Sequence, residues 1–356
     1  MSSRKYVVII IALLYMFVVP NFVLWHLVIK DGFMQRDLIR LGGSDTNGPL
    51  TPNVQYSKHH TELSEYIKSG KHESFDVITM GDSFSNGGGH AYYQDYLEDR
   101  YGIKTLNMRF QNHCLQDLYI LLQSGMLDEL QPRAIILESV ERAVQGRLGY
   151  REVKSDEITP KYAKKIFMNV YDKPEPKKLY EGFMPPLAMN ASMRFIYNKL
   201  YHIFYPEKLS PEVYVNELGR DFFTNPGREN ILQFYYEDLD YITKPLNAVM
   251  VNRNLNNAAR ILREKNIQLV FFAGVDQYDL FYPYVINKRG RPENKFFPEM
   301  RKVSPKDYVF IDTMKIFREA LERGEQDIYW FGDTHWSWKG MQLFCDELVK
   351  YFNWLN

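Results

Sequence analysis

Residues 6–29, YVVIIIALLYMFVVPNFVLWHLVI, carry no formal charge, and this run limits what the chain can become more than any other feature. At about 1.5 Å per residue, a helix of that length covers a ~30 Å hydrocarbon core. The run therefore predicts a transmembrane segment. Pro20 and Asn21 interrupt it, and since proline removes one helical hydrogen bond, a kink or a short excursion from the helix is expected there. A cleaved signal peptide is the competing reading. The run is longer than a usual signal core, however, and no small-x-small cleavage site follows it, which favours an uncleaved anchor. Arg4 and Lys5 lie on its short side, so residues 1–5 are expected in the cytoplasm and everything after residue 29 outside it.

The rest of the chain has a globular composition. It is 356 residues long, and 44 Lys plus Arg balance 44 Asp plus Glu. No net field argues for nucleic acid or for a strongly charged polymer as partner. Cys114 and Cys345 are the only cysteines, too few for a disulfide framework; one bridge is compatible with an oxidising compartment, and two buried thiols are the plainer reading. Nothing in the sequence supports a zinc site, and no motif calls for a cofactor. Residues 31–57, rich in Gly, Asn, Pro and Ser, read as a juxtamembrane segment and linker, with the folded domain at 58–356. His59, His60 and Glu62 open an expected helix to Ser69, and the adjacent histidines read as solvated surface rather than ligands.

Five short apolar runs then suit buried parallel strands: FDVITM (75–80), KTLNMRF (104–110), RAIILES (133–139), IQLVFFAGV (267–275) and YVFIDTM (308–314). Between and after them, 115–127, 247–266 and the C-terminal MQLFCDELVKYFNWL show the i, i+3, i+4 apolar spacing of helices. Strands alternating with helices predict an α/β domain with a doubly wound parallel sheet. The interval from about 145 to 245 breaks the rhythm. It has no clean buried strand but many aromatics, including Tyr197, Phe204, Tyr205, Phe222, Phe223 and Phe234. A largely helical insertion is expected there, its aromatics serving as core more than as a carbohydrate-stacking surface.

Two motifs carry chemistry. Gly81-Asp82-Ser83-Phe84-Ser85 follows the first strand, at the carboxyl end where open α/β sheets place their ligand crevices. Gly81 permits a tight turn, and the glycines at 87–89 let backbone N–H groups approach a reacting oxygen. Near the other end, Asp333-Thr334-His335-Trp336 sets a carboxylate and an imidazole two residues apart. In an extended loop these lie about 6.6 Å apart along the chain and project to the same side. A serine hydroxyl needs an imidazole to take its proton and a third group to orient that imidazole. Ser83, His335 and Asp333 fit those roles. The plainer alternatives are a strand-to-helix turn capped by Asp82 or Ser83, and a satisfied surface histidine.

The combination resembles the SGNH/GDSL hydrolase superfamily. Within it, the Asp-x-His-Trp form, continuing here as Ser337-Trp338-Lys339-Gly340, looks like the alginate O-acetyltransferase branch rather than the Asp-x-x-His form of common esterases. Glu138-Ser139-Val140-Glu141-Arg142, Gly274-Val275-Asp276-Gln277-Tyr278-Asp279 and Phe281-Tyr282-Pro283 are similar to segments of that branch, and an anchor followed by Asp37-Leu38-Ile39-Arg40 also fits. The resemblance implies a flavodoxin-like sheet and transfer of acetyl groups to hydroxyls of a cell-surface or exported polysaccharide. The site would face the periplasm or exterior of a bacterial cytoplasmic membrane, and a membrane-bound O-acyltransferase would be the acetyl donor. Ser83 would carry the acyl group, His335 would move the protons and Asp333 would orient His335. The oxyanion glycine and asparagine of SGNH esterases have no counterpart in clear register. The Ser83 N–H is the expected donor, and Asp82, Asn112, Arg142, Tyr278 and Trp336 are further oxyanion or substrate-binding candidates. Glu141 and Arg142 could instead form a structural ion pair. A carbohydrate esterase or deacetylase with the same triad, and a non-catalytic scaffold of a polysaccharide-modification complex, are the alternatives.

Overall fold

In the computed structural model, which describes residues 3–30, 36–43, 54, 56–70, 72–88, 92–110, 114–170, 187–242, 245–352 and 354, the uncharged run is helical throughout. Helix α1 (Ser3–Leu24) passes through Pro20 without a break and continues into one wide π turn, Trp25–Ile29. The side-chain amide of Asn21 folds back onto the Phe17 carbonyl at 2.6 Å, which satisfies a polar group that lipid could not. Arg4–Ile29 is long and apolar enough to cross a membrane, with a mean hydropathy of 2.7 over an 18-residue window that is almost wholly exposed, while Asn21, Trp25 and Ile29 toward its C-terminal end are buried.

The expected linker is not wholly a linker. Residues 36–43 pack into the domain: Leu38 and Ile39 are buried in the short helix α2 (Asp37–Arg40). Leu38 meets Leu209 and Val213. The sequence conceals this because four helical residues show no periodicity. The signal lies in the following glycines, since a Cβ at Gly42, which has φ +104°, would collide with Asn198 and Ser210.

The domain is built on six strands: β1 (Thr61–Glu62), β2 (Val77–Gly81), β3 (Thr105–Arg109), β4 (Ala134–Val140), β7 (Gln268–Gly274) and β8 (Val309–Ile311); β5 and β6 form a separate hairpin. Every ladder in the six-stranded sheet is parallel, and the order across it is β1-β3-β2-β4-β7-β8. Strands β2 and β4 are buried at every position. This is why their sequences read as continuous apolar runs rather than alternations. Each Ile, Leu or Phe so buried contributes roughly 1.5–3 kcal/mol. Leaving out the two-residue edge strand β1, the order in chain sequence is 2-1-3-4-5, which reverses direction between β2 and β4. Their carboxyl ends flank the crevice that such a switch point opens.

The principal helices are α3 (Tyr93–Tyr101), α4 (Cys114–Ser124), α5 (Leu187–Phe204), α6 (Ala248–Glu264), α7 (Thr313–Glu322) and α8 (Trp338–Leu348). Three are the helices that periodicity predicts at 115–127, 247–266 and the C-terminus. Cys114 and Cys345 are buried free thiols. The 145–245 interval holds α5, shorter helices and the antiparallel hairpin of β5 (Val213–Glu217) and β6 (Ile231–Tyr235), so it is not only helical. The hairpin escapes a sequence reading because neither strand alternates: burial along β5 is irregular, and three consecutive residues of β6, Leu232, Gln233 and Phe234, are buried. Its aromatics divide: Phe222, Phe223 and Phe234 are core, whereas Tyr197, Phe204 and Tyr205 are exposed.

The histidine pair also divides. His59 is exposed, but the His60 side chain is buried between Asp95, at 2.5 Å, and Glu62, at 3.2 Å. Burial opposes its charge, yet the hydrogen bonds and charges of Asp95 and Glu62 outweigh it and lift the ring to about 9. Because the folded value exceeds the unfolded one, the stabilisation is complete below about pH 6.5 and is lost as pH rises through 9. Denaturation midpoints followed from pH 6.5 to 10 are expected to fall for the wild type and to fall less for His60→Gln. That variant should also be less stable at pH 6.5 by about 1.5–3 kcal/mol, the worth of hydrogen bonds to a charged group. Parallel pH curves would refute the assignment.

Candidate functional site

The Gly81–Gly88 turn leaves β2 at the switch point, and Ser83 at its tip is exposed. Its shape is held from inside. The Ser83 carbonyl accepts the N–H groups of Gly88 at 2.7 Å and Asn86 at 3.2 Å, and the Asn86 side chain donates to the carbonyls of Gly81 (3.0 Å) and Asp82 (2.6 Å). Asn86 is oriented by Asn107, whose Nδ2 donates to it at 3.1 Å. Asn107 in turn accepts from Thr79 at 2.9 Å and Gln94 at 3.2 Å. Gln94 also donates to the Ser85 carbonyl at 2.8 Å. These buried amides are the support the sequence reading missed. Their signal was polar residues within otherwise apolar strand and helix patterns, which burial tolerates only when satisfied.

Beneath the turn, the Asp82 N–H donates to Glu138 Oε2 at 2.6 Å. The Asp82 carboxylate accepts from the Val140 N–H at 3.0 Å and from Arg147 Nη1 at 2.5 Å. Although burial favours its neutral form, Glu138, Arg147 and the Val140 N–H hold Asp82 below the usual carboxylate range. Burial, reinforced by Asp82, pushes Glu138 far above it. The two neighbouring carboxyl groups are thus pushed in opposite directions. Gly81 has no freedom here, since a Cβ would overlap Glu138 and Ser85.

His335 reaches this turn from the loop before α8. Asp333 Oδ1 is 2.5 Å from His335 Nδ1 and accepts the His335 N–H at 3.0 Å, so one carboxylate oxygen fixes both ring and backbone. The loop is anchored by Gln277, which donates to the Asp333 carbonyl at 2.6 Å. With Nδ1 on Asp333, Nε2 is the free edge, and it lies against Gly88: a Cβ there would overlap His335 Cδ2 and Nε2 and the Ser83 carbonyl. The Phe84 and His335 ring centroids are 5.1 Å apart. The two distant motifs therefore meet. Ser83 Oγ makes no hydrogen bond to His335 among the described residues.

Asp37 is a second carboxylate on the histidine. Its Oδ2 is 3.7 Å from His335 Nδ1. Its N–H donates to Asp333 Oδ2 at 3.0 Å, and it accepts the Thr334 N–H at 2.8 Å and the Thr334 hydroxyl. Burial opposes charge on His335, but Asp333 and then Asp37 raise its pKa above the ordinary value. Burial opposes charge on Asp333 too, and His335 brings it below the carboxylate range. Asp37 is raised, by burial and then by Asp333.

The other expected site residues are placed differently. Trp336 is fully buried, stacked on Phe272 at 5.8 Å and edge-on to Phe84 at 4.9 Å; it roots the loop in the core and lines no cleft. Tyr278 is likewise buried against Phe234 at 4.8 Å, where burial lifts its hydroxyl to about 12. Asp82 braces the turn as described. Arg142 does not pair with Glu141: its guanidinium holds Asp276 and, at 3.5 Å, Asp238, because the strand end turns the two side chains to different partners. Glu141 accepts the Asp276 N–H at 3.0 Å and the Asn294 amide at 2.8 Å. Asn112 lies outside the described residues.

Among the described residues, two groups bring ligand atoms close enough to share a metal ion: Asp37, Asp333 and His335, and the buried Glu141, Asp276 and Asp279. In the first, Nδ1 and the carboxylates are already committed to one another. In the second, burial and mutual repulsion push Glu141 and Asp279 far above the carboxylate range, toward neutral acids. A cavity of about 750 Å³ lined by Gln116, Arg147, Tyr150, Lys154 and Tyr162 shares Arg147 with the site, though neither Ser83 nor His335 lines it.

For catalysis by neutral His335, a raised pKa means activity that grows with pH through the value for the folded protein. Asp37→Asn removes one of the charges that raise it, so the acid limb of the kcat/KM profile is expected to move to lower pH. An unmoved limb would show that Asp37 does not act on His335. Gly88→Ala is expected to displace the ring and lower kcat by 10-fold or more, of order one misplaced catalytic group, and to lower the melting temperature as well, because the added Cβ also meets the Ser83 backbone carbonyl.

Compared with protein-family models and with curated proteins, the chain matches none.

Proposed function

We propose that this protein is a membrane-anchored O-acetyltransferase that modifies hydroxyls of a polysaccharide on the extracytoplasmic side of a bacterial cytoplasmic membrane through an acyl-enzyme on Ser83. The observation that carries the reading is the Asp333–His335 pair presenting Nε2 to the Ser83 turn at the sheet's switch point. The 2-1-3-4-5 strand order is also the flavodoxin-like order that the SGNH resemblance implies. The anchor helix and the Arg4–Lys5 flank support the membrane and its sidedness.

Each step follows from the groups present. Ser83 Oγ attacks the acetyl carbonyl of the donor while Nε2 takes its proton, and the ionised Asp333 stabilises the imidazolium at Nδ1. The imidazolium returns that proton to the departing donor group, leaving the acetyl ester on Ser83. A sugar hydroxyl then gives its proton to Nε2 and attacks the ester. The tetrahedral intermediate collapses, and the proton returns to Ser83 Oγ. The Ser83 backbone N–H, which has no partner among the described residues, is the oxyanion donor of this scheme. A membrane-bound O-acyltransferase supplies the acetyl group, and the acceptor polysaccharide resolves the ester. No cofactor enters the scheme.

The full-length protein in detergent, given an activated acetyl ester and an oligosaccharide, is expected to yield acetylated sugar. Free acetate alone would make it an esterase, and neither product would make it a scaffold. Ser83→Ala should lower turnover on the order of 10⁴-fold or more, and Asp333→Asn on the order of 10³–10⁴-fold. Unchanged turnover in Ser83→Ala would refute the nucleophile.

A further inference from the structure

One apolar surface is unused by this chemistry. On α5, Met193, Ile196, Tyr197, Leu200, Ile203 and Phe204 are all about half or more exposed, Phe204 most at 78%. Their spacing of three and four residues sets them in one stripe along the helix. The opposite side is fixed to the protein. Ala191 shares a small core with Trp25 and Ile29 at the outer end of the anchor, and Phe195 packs against it. Ser192 Oγ donates to the Asn21 carbonyl at 3.4 Å, and buried Asn198 lies against Gly42. Helix α5 is thus wedged between the anchor and the segment that carries Asp37, with its apolar stripe turned outward.

The anchor sets the depth of that stripe. About 12 Å of helix separates Asn21 from Ile29 at 1.5 Å per residue, so a contact at Asn21 brings the start of α5 to the level of the outer leaflet. Arg194 and Lys199 flank the stripe. Tyr197, Tyr201 and Tyr205 form a row with centroid spacings of 6.0 and 4.5 Å, the residue types that settle at a lipid headgroup boundary. An exposed stripe of this size, continuous with a membrane anchor, has a phospholipid bilayer as its occupant.

We propose that α5 is a second membrane contact, lying in the outer interface of the bilayer that α1 spans with its apolar stripe in lipid. The inference rests on the anchor reading given above. Two contacts fix the orientation of a domain that one helix would leave free to swivel. Asp37 follows Ile29 by eight residues, which span at most about 29 Å, so the site is held close over the membrane.

The test uses the full-length protein, one copy per phospholipid nanodisc, with an environment-sensitive fluorophore on a single introduced cysteine. Cys114 and Cys345 are buried and remain unlabelled. Leu200→Cys is the reporter and Ile203→Cys its duplicate; Leu13→Cys marks the anchor, and Val249→Cys, 62% exposed on α6, marks solvent. Spin-labelled lipids should quench positions 200, 203 and 13 several-fold more than position 249. Quenching at 13 but not at 200 or 203 would overturn the proposal and leave the anchor standing. Iodide quenching at 200 and 203 as strong as at 249 would likewise overturn it, placing the stripe in water. No quenching even at 13 would remove the anchor itself.

Discussion

The interaction on which the site depends is the buried hydrogen bond between Asp333 and His335, closed by Asp37. A carboxylate 2.5 Å from Nδ1 leaves the ring one free nitrogen and one orientation. A second carboxylate at 3.7 Å adds negative charge where the imidazolium would form. Asp37 belongs to α2, just beyond the membrane run, so the histidine is completed by the chain's passage from anchor to domain. Burying three ionisable groups together is costly unless each hydrogen-bonding position is used. Here the Thr334 and His335 N–H groups and the Asp37 N–H use them.

A second economy of charge operates under the Ser83 turn. Asp82 and Glu138 are neighbours that cannot both ionise in a buried place, and Arg147 decides which does by pairing with Asp82. Farther along the same rim, Arg142 holds Asp276 and Asp238, whose carboxyl groups burial pushes up against the pull of its charge. The rim of the crevice is thus stiffened by arginine–carboxylate contacts, while Ser83 stays exposed at its tip.

The sheet was legible in the sequence because β2, β4 and β7 are buried on both faces and so spell uninterrupted apolar runs. The approach of the two motifs was legible for a related reason: a serine at a strand's carboxyl end and an Asp-x-His loop are local patterns, and topology brought them together. What could not be read was settled by contacts between distant residues. Asp37 looked like part of a linker until α2 packed on Leu209 and Val213. Asn86, Gln94 and Asn107 carried no motif, since a hydrogen-bonded hub leaves no periodic mark. Trp336 sits in a signature-like position, yet its ring fills the core, because a loop that must hold a histidine steady needs an apolar root. Hairpin β5–β6 was hidden because the burial of its strands does not alternate with a period of two.

The account stands or falls on Ser83 being activated by His335. A fluorophosphonate probe, which bonds only to an activated serine, tests this directly when the labelled peptide is identified by mass spectrometry in the wild type, His335→Ala and Asp333→Ala. The account predicts adduct on Ser83 in the wild type and a loss of labelling on the order of 100-fold or more in both variants. A wild-type Ser83 that stays unlabelled, or labels at the same rate without His335, would contradict it.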